Sequence, residues 1–262
     1  MAPVLPVGPR IVNPRSRQAV GLRAAWPLTD AGGLTVHNAG EERQFDHTIS
    51  SASTVTSVAT ERGMALSFTG GYTSLSSTNA EPLVFSGPHS GCVWVRGATL
   101  ANADDSPFSH ISASPYNGWM IWRTANTTYN LYVNGANRVK WASVALSEWH
   151  HLAWTWNGST YQLYLDGLPG SSASYSTAPT STGQTLYIGR YSWGASDYRG
   201  RIRDARLYGR ALSAHDVRDI YANPDDLYQP EDDSWLWAAL AGGGVGSSGP
   251  HKGSLALMGI GR

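Results

Sequence analysis

The chain contains little cysteine and little net charge. Cys92 is the single cysteine among 262 residues, so no disulfide can form within the chain, which suits folding in a reducing cytoplasm. Charged residues make up 15% of the chain and the formal net charge is zero. No overall field therefore draws the protein to nucleic acid or to a membrane, and we expect neither as a partner.

Long apolar stretches are also missing. No run of about 18 apolar residues occurs. The first ten residues lack the basic segment and apolar core of a signal peptide. We therefore expect neither export nor a membrane span.

The most informative stretch of the sequence predicts a β-hairpin. Two alternating segments, His150–Trp156 and residues 161–166, flank the turn residues Asn157 and Gly158. Leu152, Trp154 and Trp156 share one face of the first segment. A hairpin is not stable alone, so this apolar face needs a second sheet to pack against.

Short β-favouring runs separated by Gly, Ser, Thr and Asn fill most of the remaining chain, which is typical of a β-sandwich. The fold class we predict is all-β: a two-sheet antiparallel jelly roll with one short C-terminal helix and extended tails. The helix begins after Ser213, which can cap it together with Asp216, and Asn223 ends it. We expect this helix to close one end of the sandwich.

Six segments resemble, in chain order, the strands and closing helix of the concanavalin A-like lectin/glucanase superfamily, in its laminin-G-like (pentraxin-like) branch. They are G-L-R-A-A-W-P-L at 21–28, A-L-S-F-T-G-G-Y at 65–72, W-H-H-L-A-W-T-W-N-G-S-T-Y-Q-L-Y-L-D-G at 149–167, L-Y-I-G at 186–189, G-R-I-R-D-A-R-L-Y at 200–208 and G-R-A-L-S-A-H-D-V-R-D-I-Y at 209–221. The resemblance covers residues 19–222, and one such fold hosts many functions.

The tails differ in composition from this predicted domain. Residues 1–18 contain four prolines and three arginines (Arg10, Arg15 and Arg17) and predict an extended arm, either ordered on a partner surface or a disordered terminus. Residues 223–262 are first acidic, then apolar at Trp235, Leu236 and Trp237, and finally glycine-rich. We expect these arginines and apolar residues to serve as attachment points.

The superfamily that the chain resembles includes glucanases, so the carboxylates have to be considered as catalytic residues. A retaining glycosidase needs two carboxyl groups about 5 Å apart, yet Glu148 and Asp166 are the only carboxylates between residues 106 and 196. His150 and His151 point to opposite faces of one strand, so they do not chelate one ion. We predict no catalytic residue, no enzyme activity and no metal site formed by these histidines.

Calcium stays open as a cofactor. The resemblance implies a calcium site at the rim of some family members, and oxygen donors stand in suitable loops at Asp30, Asn38, Asp46 and Asp197. The sequence departs from the family at Arg203, where an acidic residue is common. This departure argues against a family-type site.

Aromatic residues in two loops are the candidates for binding carbohydrate or a protein partner. Rings stack on sugar faces, and the same residues form interface hot spots or simply pack in a core. The candidates are Tyr116, Trp119, Tyr191, Trp193, Asp197 and Tyr198.

Two functions follow as hypotheses. The first is a non-enzymatic structural or adhesion protein of a phage virion, made in the host cytoplasm and docked through its tails as a capsid decoration, head fibre or tail protein. It rests on the arm, domain and tail layout and on I-Y-A-N-P-D-D-L-Y-Q-P at 220–230, which resembles the end of such domains in tailed phages. Its partners would be a capsid lattice, further copies of itself, or cell-surface glycans. The second is a stand-alone carbohydrate-binding module.

Overall fold

The computed structural model describes residues 10–29, 34–40, 43–51, 53–75, 80–101, 104–180, 183, 185–192 and 197–230. The chain divides into a unit of residues 1–231 and a second unit of residues 232–262, and the second lies outside the described residues. No helix in the described part is long and apolar enough to cross a membrane.

The described residues are mostly β-strands. In chain order these are β1 (Arg10–Val12), β2 (Leu22–Trp26), β3 (Thr35–Val36), β4 (His47–Ile49), β5 (Val55–Thr60), β6 (Gly63–Thr69), β7 (Thr73–Leu75), β8 (His89–Gly97), β9 (Asp105–Ile111), β10 (Gly118–Ala125), β11 (Thr128–Val133), β12 (Ala136–Trp141), β13 (His150–Trp156), β14 (Thr160–Leu165), β15 (Leu168–Ser174), β16 (Leu186–Ile188), β17 (Arg199–Tyr208) and β18 (Tyr228–Pro230). Helix α1 (Ala214–Ala222) follows β17, and short 3-10 helices cover Arg17–Ala19, Arg43–Phe45, Glu81–Leu83 and Pro224–Leu227.

Two antiparallel sheets form the sandwich, which confirms the predicted fold class. Sheet I has the order β12-β11-β10-β9-β16-β7-β4-β3, and sheet II has the order β15-β14-β13-β8-β17-β6-β5, with β2 also pairing with β17. One apolar cluster holds residues from both sheets, such as Trp119 and Phe108 of sheet I and Trp154 and Val95 of sheet II. Burial of this cluster is the main driving force for folding.

The predicted hairpin is confirmed as β13 and β14. Trp154 lies opposite Leu163 and Trp156 lies opposite Tyr161, and all four side chains belong to the main core. Asp166 and Gly167, both with positive φ, turn the chain into β15.

Helix α1 is confirmed, with a capping box formed by Ser213 and Asp216. The expectation that it closes one end of the sandwich is wrong. Its buried residues Val217 and Ile220 pack on Cys92 and Tyr208, which lie on the outer face of sheet II. The helix therefore covers the part of that face where Cys92 and Tyr208 present apolar surface that needs shielding from water.

Residues 10–18 pack against the domain instead of forming a free arm. Strand β1 pairs with β18, with Arg10 opposite Pro230 and Val12 opposite Tyr228. Val12 and Tyr228 then share an apolar cluster with Leu227. The predicted domain bounds of 19–222 thus leave out residues on both sides that contact each other.

A buried polar cluster also connects residues from the two ends of the described domain. Arg206 donates from Nε and Nη2 to the two carboxylate oxygens of Asp204 at 2.7 and 2.6 Å, and from Nη1 to Oε1 of Gln18 at 2.7 Å. The hydroxyl of Tyr228 donates to Asp204 Oδ1 at 2.5 Å. Asp204 has a φ of 53° and lies where the register of β17 with β8 shifts, so a β-bulge aims its carboxylate at Arg206.

A candidate ligand-binding face

The outer face of sheet I carries a row of side chains across four strands. Tyr132 of β11 lies opposite Met120 of β10, Met120 opposite Ser109 of β9, and Ser109 opposite Tyr187 of β16. The residues that alternate with them, including Ile121, belong to the core. Because side chains alternate along a strand, the row points away from the core. Three steps between neighbouring strands place Tyr132 and Tyr187 about 14 Å apart.

Two aromatic pairs stand at opposite ends of this row. Trp122 and Tyr132 pack edge to face with ring centroids 5.7 Å apart. Tyr72 and Tyr187 do the same with centroids 5.4 Å apart. All four rings are half-buried, so part of each ring faces solvent. We call these four residues the aromatic face.

The middle of the row is filled and closed. Met120 is 1% exposed and packs with Ile111 and Tyr191, while Trp122 and Tyr132 lie against this small cluster. The hydroxyl of Tyr191 donates to Asp104 Oδ1 at 2.7 Å. This filling gives the aromatic pairs a rigid support.

An arginine adds planar polar groups at the Tyr72 end. The Arg190 guanidinium lies 4.3 Å from the centroid of the Tyr72 ring, and its Nε donates to Asp197 Oδ1 at 2.5 Å. Ser109 donates to the carbonyl of Arg190 at 2.6 Å and so ties this segment to the sheet. The end of the face therefore combines stacking surface with charged hydrogen-bonding groups.

The pKa of the Tyr132 hydroxyl is raised above its ordinary value. Removal from water raises its pKa, the neighbouring Tyr116 raises it further, and Arg138 lowers it. Tyr132 therefore stays protonated at neutral pH and presents a neutral hydroxyl beside Tyr116. Tyr116 itself is 39% exposed.

The structure brings three of the predicted binding residues to this face and removes two. The carbonyl of Tyr116 accepts from the backbone N–H of Gly135, two residues after β11, at 3.1 Å. Tyr191 covers Met120, and Asp197 holds Arg190. The interpretation of Trp119 and Tyr198 as ligand-contacting residues is corrected, since both lie in the main core at 3% and 0% exposure. Trp193 lies outside the described residues.

The predicted attachment residues also differ in where the structure places them. Arg10 donates from Nη1 to Asp225 Oδ1 at 2.7 Å, so it joins the two ends of the described domain. Arg15 and Arg17 are exposed, as an attachment role requires. Trp235, Leu236 and Trp237 lie outside the described residues.

Two of the oxygen donors considered for calcium, Asn38 and Asp46, lie together, but Asn38 Oδ1 accepts from the backbone N–H of Ala25 at 3.0 Å. Asp46 accepts from the backbone N–H of Asn38 at 2.7 Å and pairs with His37 at 2.8 Å, while Asp197 pairs with Arg190 elsewhere. Asp30 lies outside the described residues. No group of three or more His, Cys, Asp or Glu side chains in the described ranges is arranged to hold a metal ion.

Sequence reasoning missed Tyr72, Trp122, Tyr132 and Tyr187. The signal was present in W-M-I-W-R at 119–123, because two tryptophans three positions apart in a strand lie on opposite faces. One of them must therefore point outward. The identity of the outward residue depends on which neighbours the core accepts, and the structure assigns that place to Trp122.

Comparison with known proteins supports the fold. No curated protein sequence matches this chain. Trypanosoma rangeli sialidase is similar over 82% of this chain and 34% of its own, with 16% identity and a TM-score of 0.62, so this chain spans about a third of that enzyme. Domain 4 of AbnA, a GH43 extracellular arabinanase from Geobacillus stearothermophilus, is similar over 76% of this chain and 98% of its own, with 18% identity and a TM-score of 0.55. The receptor binding domain of botulinum neurotoxin type G is similar over 78% of this chain and 51% of its own, with 14% identity and a TM-score of 0.56.

A laminin-G-type family described as "Concanavalin A-like lectin/glucanases superfamily" matches residues 69–218, more than half of the chain. These residues include the confirmed hairpin, the capping box of α1 and all four members of the aromatic face. The chain belongs to the concanavalin A-like lectin/glucanase superfamily.

Proposed function

We propose that this protein binds an oligosaccharide on the aromatic face and does not cleave it. The observation that carries the proposal is the pair of edge-to-face contacts, Trp122 with Tyr132 and Tyr72 with Tyr187, at the two ends of one outward row. Half-exposed rings provide apolar surface for the faces of sugar rings. The separation of the pairs favours an oligosaccharide over a single sugar.

Polar groups beside the rings supply orientation. Arg190 presents fixed guanidinium donors, and Asp197 holds them in place. At the other end Tyr132 presents a neutral hydroxyl, whose pKa burial and Tyr116 both raise. Apolar surface combined with a few fixed polar groups is typical of small-ligand sites.

Binding without hydrolysis is favoured by the state of the nearby carboxylates. Asp104 accepts a hydrogen bond from Tyr191, and Asp197 is paired with Arg190. The two carboxyl groups of a glycosidase must both face the glycosidic bond. Both carboxylates are instead engaged by other side chains of the protein, which favours binding without cleavage.

A solved structure with a similar fold supports the same proposal. The arabinanase domain, nearly all of which this chain spans, was solved in complex with arabinotriose. The chain spans only about a third of the sialidases, so their activity is not carried over to it.

The test is a screen of the full chain against immobilised neutral oligosaccharides, followed by calorimetric titration of each positive sugar, with arabinotriose included. We expect binding that Trp122→Ala and Tyr187→Ala each weaken about twofold to tenfold, since one aromatic contact contributes about 0.5–1.5 kcal/mol beyond the area it buries. Leu168→Ala is the control, because Leu168 is 59% exposed on sheet II. Binding that survives both aromatic substitutions, or no binding to any sugar, would overturn the proposal.

We further propose, from the sequence, that the domain is displayed on a virion surface. The support is the phage-like junction at residues 220–230 and the exposure of Arg15 and Arg17. Light scattering of the full chain beside Arg15→Glu/Arg17→Glu tests the part that concerns self-assembly. A defined oligomer that the double variant dissociates supports attachment through this segment, and unchanged mass in both argues against it.

A further inference from the structure

A cleft of about 340 Å³ lies on the outer face of sheet II, on the opposite side of the sandwich from the aromatic face. Strands β6, β8 and β17 form it side by side. Ser67 lies opposite Arg201, and Arg201 lies opposite Arg96. Leu66, Val95 and Ile202, the next residues in register, face the core, so this row points outward.

In the described part of the chain, three arginines and no carboxylate line the cleft. They are Arg96, Arg199 and Arg201, and Ser67 and Thr69 add hydroxyl groups on the neighbouring strand. Glu61, which lies 3.4 Å from Arg96, stands outside the lining and is 61% exposed. The cleft therefore keeps a strong excess of positive charge in a protein of zero formal net charge.

The arrangement is unfavourable for stability by itself. Like charges directly opposite on neighbouring strands repel, and Arg201 faces Arg96 in that way. Among the described residues, the guanidinium groups of Arg199 and Arg201 have no hydrogen-bond or ion-pair partner. A bound anion would remove the repulsion and supply acceptors for both groups.

The support beneath the cleft is rigid. Arg123 is fully buried, paired with Asp105, and its Nη1 donates to the carbonyl of Ala98 at 2.7 Å. Its Nη2 also approaches the carbonyl of Arg199 at 3.4 Å. These contacts hold the backbone on both sides of the cleft in one geometry.

Arg96 and the floor are fixed as well. Arg96 Nε donates to the carbonyl of Ser147 at 2.8 Å, which orients its guanidinium. Gly200 lies at the floor with a φ of 145°, and a Cβ there would overlap the carbonyl of Arg96. The cleft is therefore shaped before any ligand arrives, which lowers the entropic cost of binding.

We propose that this cleft binds an oxyanion of the sulfate or phosphate class. Arginine is suited to it because the planar guanidinium donates two parallel hydrogen bonds to such groups. The anion is either free in solution or an ester group on a saccharide. The site is separate from the aromatic face, so its failure would leave the proposed function untouched.

The first test titrates the full chain with sodium sulfate at constant ionic strength, balanced with sodium chloride. Arginine Nε–Hε signals are followed by NMR, and the melting temperature is recorded. We expect saturable shifts at Arg199 and Arg201 and a rise in melting temperature. The variant Arg199→Gln/Arg201→Gln binds at least about tenfold more weakly, because each lost arginine removes a charge-assisted hydrogen bond.

Arg218→Gln is the matched control, since Arg218 is exposed on α1 and does not line the cleft. It should bind sulfate as the wild type does. Sulfate also stabilises proteins without binding a site. Equal melting increments in the wild type and the double variant, or shifts that do not saturate, would therefore overturn the proposal.

A second arm identifies the source of the anion. A sulfated disaccharide and its unsulfated form are compared with inorganic sulfate on the wild type and the double variant. Tighter arginine-dependent binding of the sulfated sugar assigns the site to a saccharide ester. Equal or weaker binding of that sugar assigns the site to a free anion, and the cleft stands in both cases.

Stability gives an independent reading. In the absence of multivalent anions, Arg201→Gln should raise the melting temperature by about 1–3 °C, because it removes the cross-strand repulsion with Arg96. The same substitution should reduce the stabilisation by sulfate. A variant that melts lower than the wild type in chloride would contradict the repulsion on which the proposal depends.

Discussion

Arg206 and Asp204, two residues apart in β17, form a fully buried ion pair with two hydrogen bonds of 2.7 and 2.6 Å. Burial alone would raise the pKa of Asp204, but Arg206 and the Tyr228 hydroxyl hold it below the ordinary value. The pair is therefore ionised in the folded protein at neutral pH. Through Gln18 and Tyr228 it connects residues from both ends of the described domain.

We predict that Asp204→Asn destabilises the protein by about 3–5 kcal/mol, because it leaves the Arg206 charge buried without its partner. Urea unfolding of the full chain measures this loss. The control is Asp226→Asn, whose residue is exposed, and it should change stability by less than about 0.5 kcal/mol. Similar losses in both variants would show that the buried pair is not the cause.

Acid should weaken the fold through the same carboxylate. A carboxyl group whose pKa is lowered by folding contributes stability above its unfolded pKa of about 3.9, and this contribution is lost as pH falls through the lower folded value. The pKa values of Asp166 and Asp216 are also lowered, by His150 and Arg210 respectively against the opposing effect of burial. We expect a steep loss of stability below about pH 4, measured by urea unfolding at a series of pH values.

Buried histidines predict a second pH dependence in a higher range. Burial lowers the pKa of His47 to about 3 and the pKa values of His89 and His151 to about 4. The unfolded chain binds protons on these residues below about pH 6.5 while the folded chain does not, so stability falls as pH drops from about 6.5 towards 4. His151→Phe should reduce this slope between pH 7 and 5. His215→Gln, on the exposed surface of α1, should change it much less.

A glycine in β8 is required by the ring that lies against it. A Cβ added at Gly91 would overlap the Trp154 side chain in the main core. Gly91→Ala should destabilise the protein by about 1–3 kcal/mol through overpacking. Gly87→Ala is the control, because nothing lies within 4 Å of its added Cβ. Equal melting temperatures for the two variants would contradict the packing of Trp154 described above.

Asp197 is expected to act on ligand binding through Arg190. Asp197→Asn should weaken oligosaccharide binding by about tenfold or less, since it removes the charged partner that holds Arg190 over Tyr72. Calorimetric titration measures this change, and the melting temperature serves as a check that the fold is intact. Arg218→Gln, far from the face, should leave affinity unchanged. If Asp197→Asn binds the oligosaccharide with full affinity, Arg190 is not part of the proposed site.

Much of the fold was predictable because alternation and turn chemistry act locally. The hairpin of β13 and β14 and the capping box at Ser213 depend on residues close in sequence, and both are confirmed. The position of α1 was not predictable, since it depends on apolar residues of β8 and β17 far along the chain. Local patterns do not specify which distant surface a helix covers.

The candidate site was predicted only in part for a related reason. The sequence shows that Trp119 and Trp122 point to opposite faces, but the choice between them depends on the opposite sheet, where Trp154 packs on Trp119. Arg203 and Asp204 show the same limit. A β-bulge at Asp204 changes the alternation within β17, and neither composition nor spacing indicates a bulge at a residue other than glycine.

Strand β1 lies beside β18, with Arg10 directly opposite Pro230. The polypeptide thus enters and leaves the sandwich at one point, and a short linker could join residue 230 to residue 10 without disturbing either sheet. Domains with adjacent ends tolerate circular permutation and insertion into the loops of other proteins. Such a domain can be carried as an insert by a host protein, which would then display both of its outer faces.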